Sequence, residues 1–410
     1  MKNTDESIAA RIPSYALAVM DALERAGHRG YLVGGSLRDL LRGETPHDFD
    51  MTTDALPDEM TEIFRDFRVI PTGLKHGTLT VLSSGQPIEV TTHRVDGTYA
   101  DSRRPDSVSF TRRLADDLSR RDFTVNAMAY HPAVGLVDLF GGRDDLAAGV
   151  IRAVGDPATR FAEDALRILR AFRFSAQLDF DIQPDTLAGA AAQKDGLARI
   201  SAERIFSEIT GLLEAPCALR GLEALFAAKC ENFVFFDTVL PLNRAKLLSK
   251  LPADVALRLA FLLRGADEQA VRALCRDRWH SSNAFADRVC GLLRVAASPL
   301  PQSDYEARRL VCGAWQQWED AMLLREADGE DVGDARALCR RVAKNGTAVE
   351  LRRLAVNGKE LQEQTGVRPD RTGVLLTRLQ DLVWQDPARN KKTTLLKLAA
   401  ELLAAEGVLQ

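Results

Sequence analysis

In the stretch "YLVGGSLRDLLRGETPHDFDMTT", Tyr31 to Thr53, the residues able to do chemistry are a glycine pair, an arginine and two aspartates separated by one residue. Successive side chains of an extended strand alternate faces, so Phe49 and Met51 enter a core while Asp48 and Asp50 point together the other way. Two converging carboxylates repel each other and raise a pKa unless a cation stands between them, and a hard divalent ion such as Mg2+ takes oxygen ligands of this kind. Solvated acids on a sheet edge give the same short pattern. Gly34 and Gly35 follow a strand-like run and open a helix-like one, so the backbone turns tightly and presents N–H groups to an anion. Arg38 adds a charge-assisted contact to that anion. Alone, this is an ordinary strand-to-helix turn with a surface arginine; with the acid pair close by, a joint site for a triphosphate and a metal ion accounts for both. Glu89 in "PIEVTTHR", with Ile88 and Val90 on the opposite face, is placed to supply a third carboxylate.

These groups need a small domain of strands and helices to hold them. The spacing predicts a helix from about Pro13 to Ala26, with proline at its start and Gly27 after its end. The runs "GYLVG", "DFDMTT", "GTLTVL" and "PIEVTTHR" read as short strands bounded by Gly, Pro or Ser. After about Ile151 the strand signals fade, and Leu/Ala-rich helical periodicity continues to the C-terminus, punctuated by Pro216, Pro252, Pro299, Pro301, Gly346, Gly366 and Pro387. The expected class is α+β: a small head of mixed sheet and helices, then an all-helical remainder. Between strand and helix, "RVDGTYADSRRPDSVSF" is long, polar and basic, and its Tyr99 to Arg104 part is expected to close over the site.

At 410 residues the chain exceeds one hydrophobic core, and two to four domains are expected. Its composition, 46% hydrophobic and 27% charged, is that of a globular protein whose apolar runs are interrupted well before membrane-spanning length. The opening "MKNTDESIAARIPSY" carries early acids and no apolar signal core, which argues for a cytoplasmic protein. All six cysteines fall in the second half without a CxxC pair, so reduced thiols are expected rather than a zinc site. A net charge of −4 gives no general signature of nucleic-acid binding. Arginine doublets such as Arg112-Arg113, Arg120-Arg121 and Arg352-Arg353 nevertheless allow local basic patches.

A separate signal lies in "RFAEDALRILRAFRF". On one helix, Asp164, Arg167 and Arg170 are neighbours at steps of three, while Leu166, Leu169 and Phe172 face inward. Asp164 accepts and Arg167 donates. Cytosine and adenine each carry an exocyclic amine beside a ring-nitrogen acceptor, so the pair matches either base. Guanine and uracil put a carbonyl oxygen opposite the carboxylate and an N–H opposite the arginine, each mismatch costing about 1–3 kcal/mol. A helix carrying ordinary i,i+3 salt bridges gives the same spacing. Arg173, one step further, drifts around the helix away from Asp164.

The run "GGSLRDLLRGETPHDFD", followed by "RRPDSVSF", "RRDFTVNAMAY", "VDLFGGRDDLAAGVIRAVGDPATRFAEDALRILRAFRF" and "VNGKELQEQTGVRP", resembles the polymerase-β-like nucleotidyltransferases, specifically the bacterial class II tRNA nucleotidyltransferase (CCA-adding enzyme) and poly(A) polymerase family. The likeness is dense over roughly the first half of the chain and thin beyond it. It implies a polymerase-β-like catalytic head at 1–150, a helical neck with the nucleotide-selecting helix at 151–215, a helical body at 216–340 and a tRNA-binding helical tail at 341–410. It also implies metal-assisted transfer of C, C and A from CTP and ATP to the 3' end of tRNA, with Mg2+ on Asp48 and Asp50 and Glu89 completing the catalytic acids. Gly35 and Arg38 would hold the triphosphate, Arg121, Asp122 and Asn126 the nucleotide pocket, and Asp164 and Arg167 the base edge, with Arg170 and Arg173 as further nucleotide contacts.

Within that family the tail "VNGKELQEQTGVRP" and the lack of a long basic C-terminal extension favour CCA addition over poly(A) synthesis, and CC-only or A-only addition stay open. A non-catalytic RNA-binding relative would have no chemical reason to keep Asp48 and Asp50. A phosphohydrolase would need several spaced His and Asp ligands, whereas the helical half holds only His280. Lys359, Arg368, Arg371, Lys391 and Lys392 are candidate tRNA contacts by charge.

Overall fold

The computed structural model describes residues 8–73, 76–96, 108–236, 238–313 and 317–405. Two compact units make up the chain, residues 1–237 and 238–410.

The first unit begins with helix α1 (Ser14–Arg25), preceded by Pro13, whose locked φ of −69° suits a helix start. Its Val19, Met20 and Leu23 are buried in one apolar cluster with Leu32, Met51, Ile88 and Val90. Strand β1 (Gly30–Val33) runs straight into α2 (Gly34–Leu41). After β2 (Asp50–Thr53) come α3 (Pro57–Ile63), β3 (Arg68–Gly73), β4 (Thr78–Ser83) and β5 (Gln86–Thr92). The seven-stranded sheet has the order β3-β4-β5-β2-β1-β8-β9, closed on one side by β8 (Met128–His131) and β9 (Gly135–Asp138). It is mixed: β2 runs parallel to β5, and the other described pairings are antiparallel. Ile88 and Val90, buried, alternate with exposed Pro87 and Glu89 along β5, the pattern of a strand with one face in the core.

A short antiparallel ribbon joins β6 (Arg94–Asp96) to β7 (Val108–Phe110). Helix α4 (Leu114–Ser119) leads into the turn that feeds β8, and α5 (Gly142–Ala148) follows β9. Helices then dominate: α6 (Pro157–Glu163), α7 (Leu166–Leu178), α8 (Pro184–Gln193), α9 (Ala202–Glu214) and α10 (Ala218–Ala227). Ile168, Leu169, Phe172 and Ala176 of α7 are fully buried, as are Leu212 of α9 and Leu222 and Leu225 of α10. One departure from an all-helical remainder is β11 (Asp181–Ile182), which pairs in parallel with β10 (Val150–Ile151). The left-handed Asp179 at φ +60° ends α7, and Pro184 opens α8, so the few residues between them are extended.

The second unit is helical. One of its cores gathers Ala307, Val311, Met322, Cys339 and Val342; another gathers Leu361, Leu375, Leu379, Val383 and Leu395. The Asn357–Glu360 capping box opens the helix Gly358–Thr365. All six cysteines are free, with Cys230, Cys275, Cys290 and Cys339 buried. Among the described residues no helix is long and apolar enough to cross a membrane.

Candidate active site

Sheet register builds the acid cluster. Asp50 opens β2 and lies opposite Val33 of β1 on one side and Glu89 of β5 on the other. Because Val33 is the last residue before the glycine turn, the same register that sets Asp50 beside Glu89 sets it beside Gly34. Asp48 lies in a bend just ahead of β2 rather than within the strand, exposed, while the neighbouring Phe49 is buried. Burial, then the charges of Asp48 and Glu89, push the Asp50 carboxyl up to about 6 against the pull of Arg121. Asp50, repelled by Asp48 and Glu89, favours a cation beside it. Among the described residues no three His, Cys, Asp or Glu side chains form a chelating group by themselves.

The glycine turn is open to an anion. Gly34 has φ +71°, which a residue with a Cβ rarely adopts, and a Cβ there would sit 3.6 Å from Arg121 Nη1. A Cβ on Gly35 would sit 3.6 Å from Arg38 Nη2. Two guanidinium groups thus overhang the start of α2, where backbone N–H groups lack helical partners. Arg121 Nε is buried and has no hydrogen-bond partner among the described residues.

Arg121 owes its position to Asp117, whose side chain is wholly buried. Asp117 Oδ2 accepts from Arg121 Nη2 at 3.1 Å, and Oδ1 accepts from Arg120 Nε at 2.9 Å and Nη2 at 2.6 Å. The Thr52 hydroxyl lies 3.2 Å from Asp117 Oδ2 and 2.8 Å from Nδ1 of buried His93. Burial alone would raise the Asp117 carboxyl, but Arg120 and Arg121 prevail and bring it to about 2. Asp117 therefore ties the basic pair to the strand that carries Asp50.

Arg38, Asp122, Asn126, Arg170 and Arg173 form one continuous network. Arg38 Nη1 donates to Asn126 Oδ1 at 3.0 Å, and its Nε and Nη2 hold Asp39. Asp122 Oδ1 accepts from Phe123 N, and its Oδ2 accepts from Arg170 Nε at 2.8 Å and Nη2 at 2.7 Å. Burial opposes ionisation of Asp122, yet Arg170 holds its carboxyl below the usual value. Arg38, Arg170 and Arg173 all approach the Phe174 ring, at 5.5, 5.1 and 4.4 Å from its centroid. Arg173 is anchored by Glu208 at 2.6 Å and packed so closely on α9 that a Cβ at Gly211 would lie 2.6 Å from its Cδ.

Asp164 and Arg167, expected from the sequence to read a base from one helix, are placed differently. Asp164 and Arg167 do not share a helix: α6 ends at Glu163, and Asp164 is extended, with φ −141° and ψ 102°. The Asp164 carboxylate accepts from Leu166 N at 3.0 Å, doing for α7 what a capping side chain does and so breaking the helix in front of it. Its other oxygen accepts from Arg204 Nη2 at 2.9 Å. Arg167 is buried; Nη1 donates to Arg160 O at 3.1 Å and Glu163 Oε2 at 2.6 Å, and Nη2 to Arg120 O at 3.1 Å. Among the described residues, three of the five N–H donors of this guanidinium are thereby engaged.

Of the residues expected from the sequence, the structure brings Asp48 and Glu89 to Asp50, sets Arg38 and Arg121 over the turn at Gly34 and Gly35, and links Asp122 to Asn126. Arg170 and Arg173 join the Arg38 network through Phe174 rather than lining up with Asp164. The Tyr99 to Arg104 loop lies outside the described residues. Asp117, Phe174, Arg204 and Glu208 are further members that the sequence did not single out. Asp117 had a local signal, standing three and four residues before Arg120 and Arg121, whereas Arg204 meets Asp164 only through the packing of α9. In the second unit Lys359, Arg368 and Lys392 are exposed and paired with Glu363, Asp370 and Glu360, and Arg371 and Lys391 are exposed.

Comparison with known proteins bears on this geometry. The family described as "Poly A polymerase head domain" matches residues 30–152, and the one described as "Probable RNA and SrmB- binding site of polymerase A" matches residues 179–235. A CCA-adding enzyme of Streptococcus sanguinis is 38% identical over 380 residues, covering 90% of this chain and 92% of its own. One from Levilactobacillus brevis is 36% identical over 93% of this chain and 96% of its own. The crystal structure of the Bacillus stearothermophilus CCA-adding enzyme in complex with CTP superposes with a TM-score of 0.80 at 30% identity, covering 97% of this chain and 99% of that one. A Thermotoga maritima CCA-adding enzyme complexed with tRNA shares the fold at a TM-score of 0.68 and 21% identity, covering 97% of this chain and 98% of its own.

Proposed function

The chain belongs to the CCA-adding enzyme family, and on that premise we propose that it adds C, C and A in turn to the 3' end of tRNA, taking CTP and ATP and releasing pyrophosphate. The observation that carries this reading is the pairing of Asp50 with Glu89 across β2 and β5, directly beside a glycine turn overhung by Arg121 and Arg38.

In the reaction the RNA 3'-hydroxyl attacks the α-phosphate of the bound nucleotide. The family works with a divalent metal; Asp48 and Asp50 would hold it here, as Mg2+, and when bound it would help activate the hydroxyl and shield charge on the attacking and leaving oxygens. Glu89, opposite Asp50, adds negative charge that favours the cation. The Gly34–Gly35 backbone and the guanidinium groups of Arg38 and Arg121 take the triphosphate charge. Asp122 and Asn126 hold Arg170 and Arg38 in fixed directions at the nucleotide pocket, with Arg173 beside them. Asp164 accepts from the exocyclic amine of cytosine or adenine while Arg167 donates to the ring nitrogen beside it, so guanine and uracil are refused.

Residues 1–150 then serve as the catalytic head, 151–215 as the neck that selects the base, 216–340 as the body and 341–410 as the tail that grips tRNA, and we infer a cytoplasmic protein. The test is extension of a tRNA lacking its CCA end, with CTP and ATP supplied singly and together and the product sequenced. Asp48→Ala and Asp50→Ala should each abolish extension with an unchanged far-ultraviolet circular dichroism spectrum. Full extension by either variant would overturn the assignment.

A further inference from the structure

We propose that Arg204 is a positioning residue for base selection: from α9 it fixes the Asp164 carboxylate in the orientation that reads the exocyclic amine of the incoming base. This deepens the base-reading role proposed for Asp164 and Arg167 and rests on it.

Asp164 stands in an extended link between α6 and α7, where its carbonyl accepts from Arg167 N at 3.0 Å but its side chain lies outside either helix. Two side-chain contacts define its direction. Oδ1 accepts from Leu166 N at 3.0 Å, and Oδ2 from Arg204 Nη2 at 2.9 Å. The first contact fixes one oxygen; only with the second is rotation of the carboxylate about its Cβ–Cγ bond stopped as well, because that torsion is otherwise broad. Both partners are pure donors, and each carboxylate oxygen has two acceptor sites, so one acceptor site per oxygen remains after the two bonds. Asp164 therefore presents only acceptors to the base, aimed in a direction set from outside its own segment. A swinging carboxylate would lose that geometry and with it the mismatch imposed on a carbonyl.

Arg204 is suited to this single task. Its side chain is 29% exposed and its ion-pair partner is Asp164, while Nη1 is buried with no hydrogen-bond partner among the described residues. Neighbouring cations are committed elsewhere: Arg170 to Asp122, Arg173 to Glu208, and Arg160 and Arg167 to Glu163.

The experiment measures the ratio of correct to incorrect incorporation, CTP against UTP and ATP against GTP, as a ratio of kcat/KM values on one enzyme sample. Triphosphate and metal contacts are common to all four nucleotides, so they cancel. Arg204→Met should lower the ratio about tenfold, the scale of one lost hydrogen-bond mismatch, and Arg204→Lys should restore much of it. In an Asp164→Asn background, Arg204→Met should lower it no further, because the two residues act through one contact. An unchanged ratio in Arg204→Met, or the same loss with and without Asp164→Asn, would overturn the positioning role while leaving base reading in place. If Asp164→Asn itself keeps the ratio of the unaltered enzyme, base reading by Asp164 fails, and the role of Arg204 fails with it. Should Arg204→Met not fold, Arg204→Gln, of nearly the same length and uncharged, carries the same comparison.

Discussion

Removing Asp117 should weaken the fold and loosen nucleotide binding together. Asp117→Ala deletes a fully buried carboxylate that accepts three bonds from Arg120 and Arg121 and lies within reach of Thr52. Breaking a buried ion pair by deleting one partner costs about 3–5 kcal/mol, since the remaining charge is left uncompensated. Both arginines have side chains 18% exposed and can turn partly to water, which favours the lower end of that range. For a unit of this size each kcal/mol moves Tm by about 2–4 °C, so a drop on the order of 10 °C is expected in a circular-dichroism melt. Arg121 loses its tether over Gly34 at the same time. KM for CTP and for ATP should therefore rise alike, about tenfold, the loss of one charge-assisted contact. The pH dependence has a definite sign. Asp117 titrates near 2 in the folded protein, below its unfolded value near 4, so its contribution is present above pH 4 and disappears as pH falls towards 2. The difference in urea stability between the two proteins should shrink across that interval. A melting point within 2 °C of the unaltered protein, with both KM values unchanged, would refute the tethering argument.

Metal affinity should report on Asp50. A carboxyl raised to about 6 must lose its proton before it ligates, so affinity for Mg2+ measured through primer extension should fall about tenfold per pH unit below 6 and level off above it. Asp48→Asn removes one of the charges that raise Asp50, and in the metal-free protein the Asp50 carboxyl, followed by carbon-13 NMR because this variant should not extend, should titrate at lower pH; an unmoved midpoint contradicts the coupling. Arg167→Ala should blur the choice between C or A and the other two bases, and it should also lower Tm, because the side chain ties Glu163 to the carbonyl groups of Arg160 and Arg120; selectivity equal to that of the unaltered enzyme removes the base-reading assignment. Gly142→Ala would place a Cβ 2.2 Å from the Thr124 carbonyl oxygen, and the forced shift should destabilise the unit by about 1–3 kcal/mol, readable as a lower denaturant midpoint.

Much of the acid cluster was legible because strand alternation is a two-residue rule that a short sequence displays directly. Phe49 and Met51 face the core, Ile88 and Val90 face it from β5, and the acids between them face the other way. The glycine turn was legible for a similar reason, since only a positive φ explains Gly34 between a strand and a helix. The helix break at Asp164 was hidden: "FAEDALRIL" has good helical residues throughout, and the interruption comes from an aspartate side chain bonding to its own backbone. Clustering of Arg38, Arg170 and Arg173 around Phe174 depends on how α7 packs against the turn after α4 and on α2, which periodicity along one helix does not encode. The partner of Asp164 was equally hidden, since Arg204 is forty residues away. Asp117 was within reach of a closer reading, because an acid three and four residues before an arginine pair on a helix end is a local pattern.

The parallel pairing of β2 with β5 has a consequence for how the enzyme comes off the ribosome. Asp50 and Glu89 become neighbours only after α3 and the β3–β4 hairpin have looped the chain back, a closure that a growing polypeptide completes late and slowly compared with a hairpin. A nascent chain that has emerged only as far as Thr53 already carries Asp48 and Asp50 but not the strand that lies alongside them. The acid pair is therefore completed only when β5 docks on β2, and a half-made head offers neither a finished acid cluster nor, before Arg121 follows, an overhung phosphate cradle to passing nucleotides.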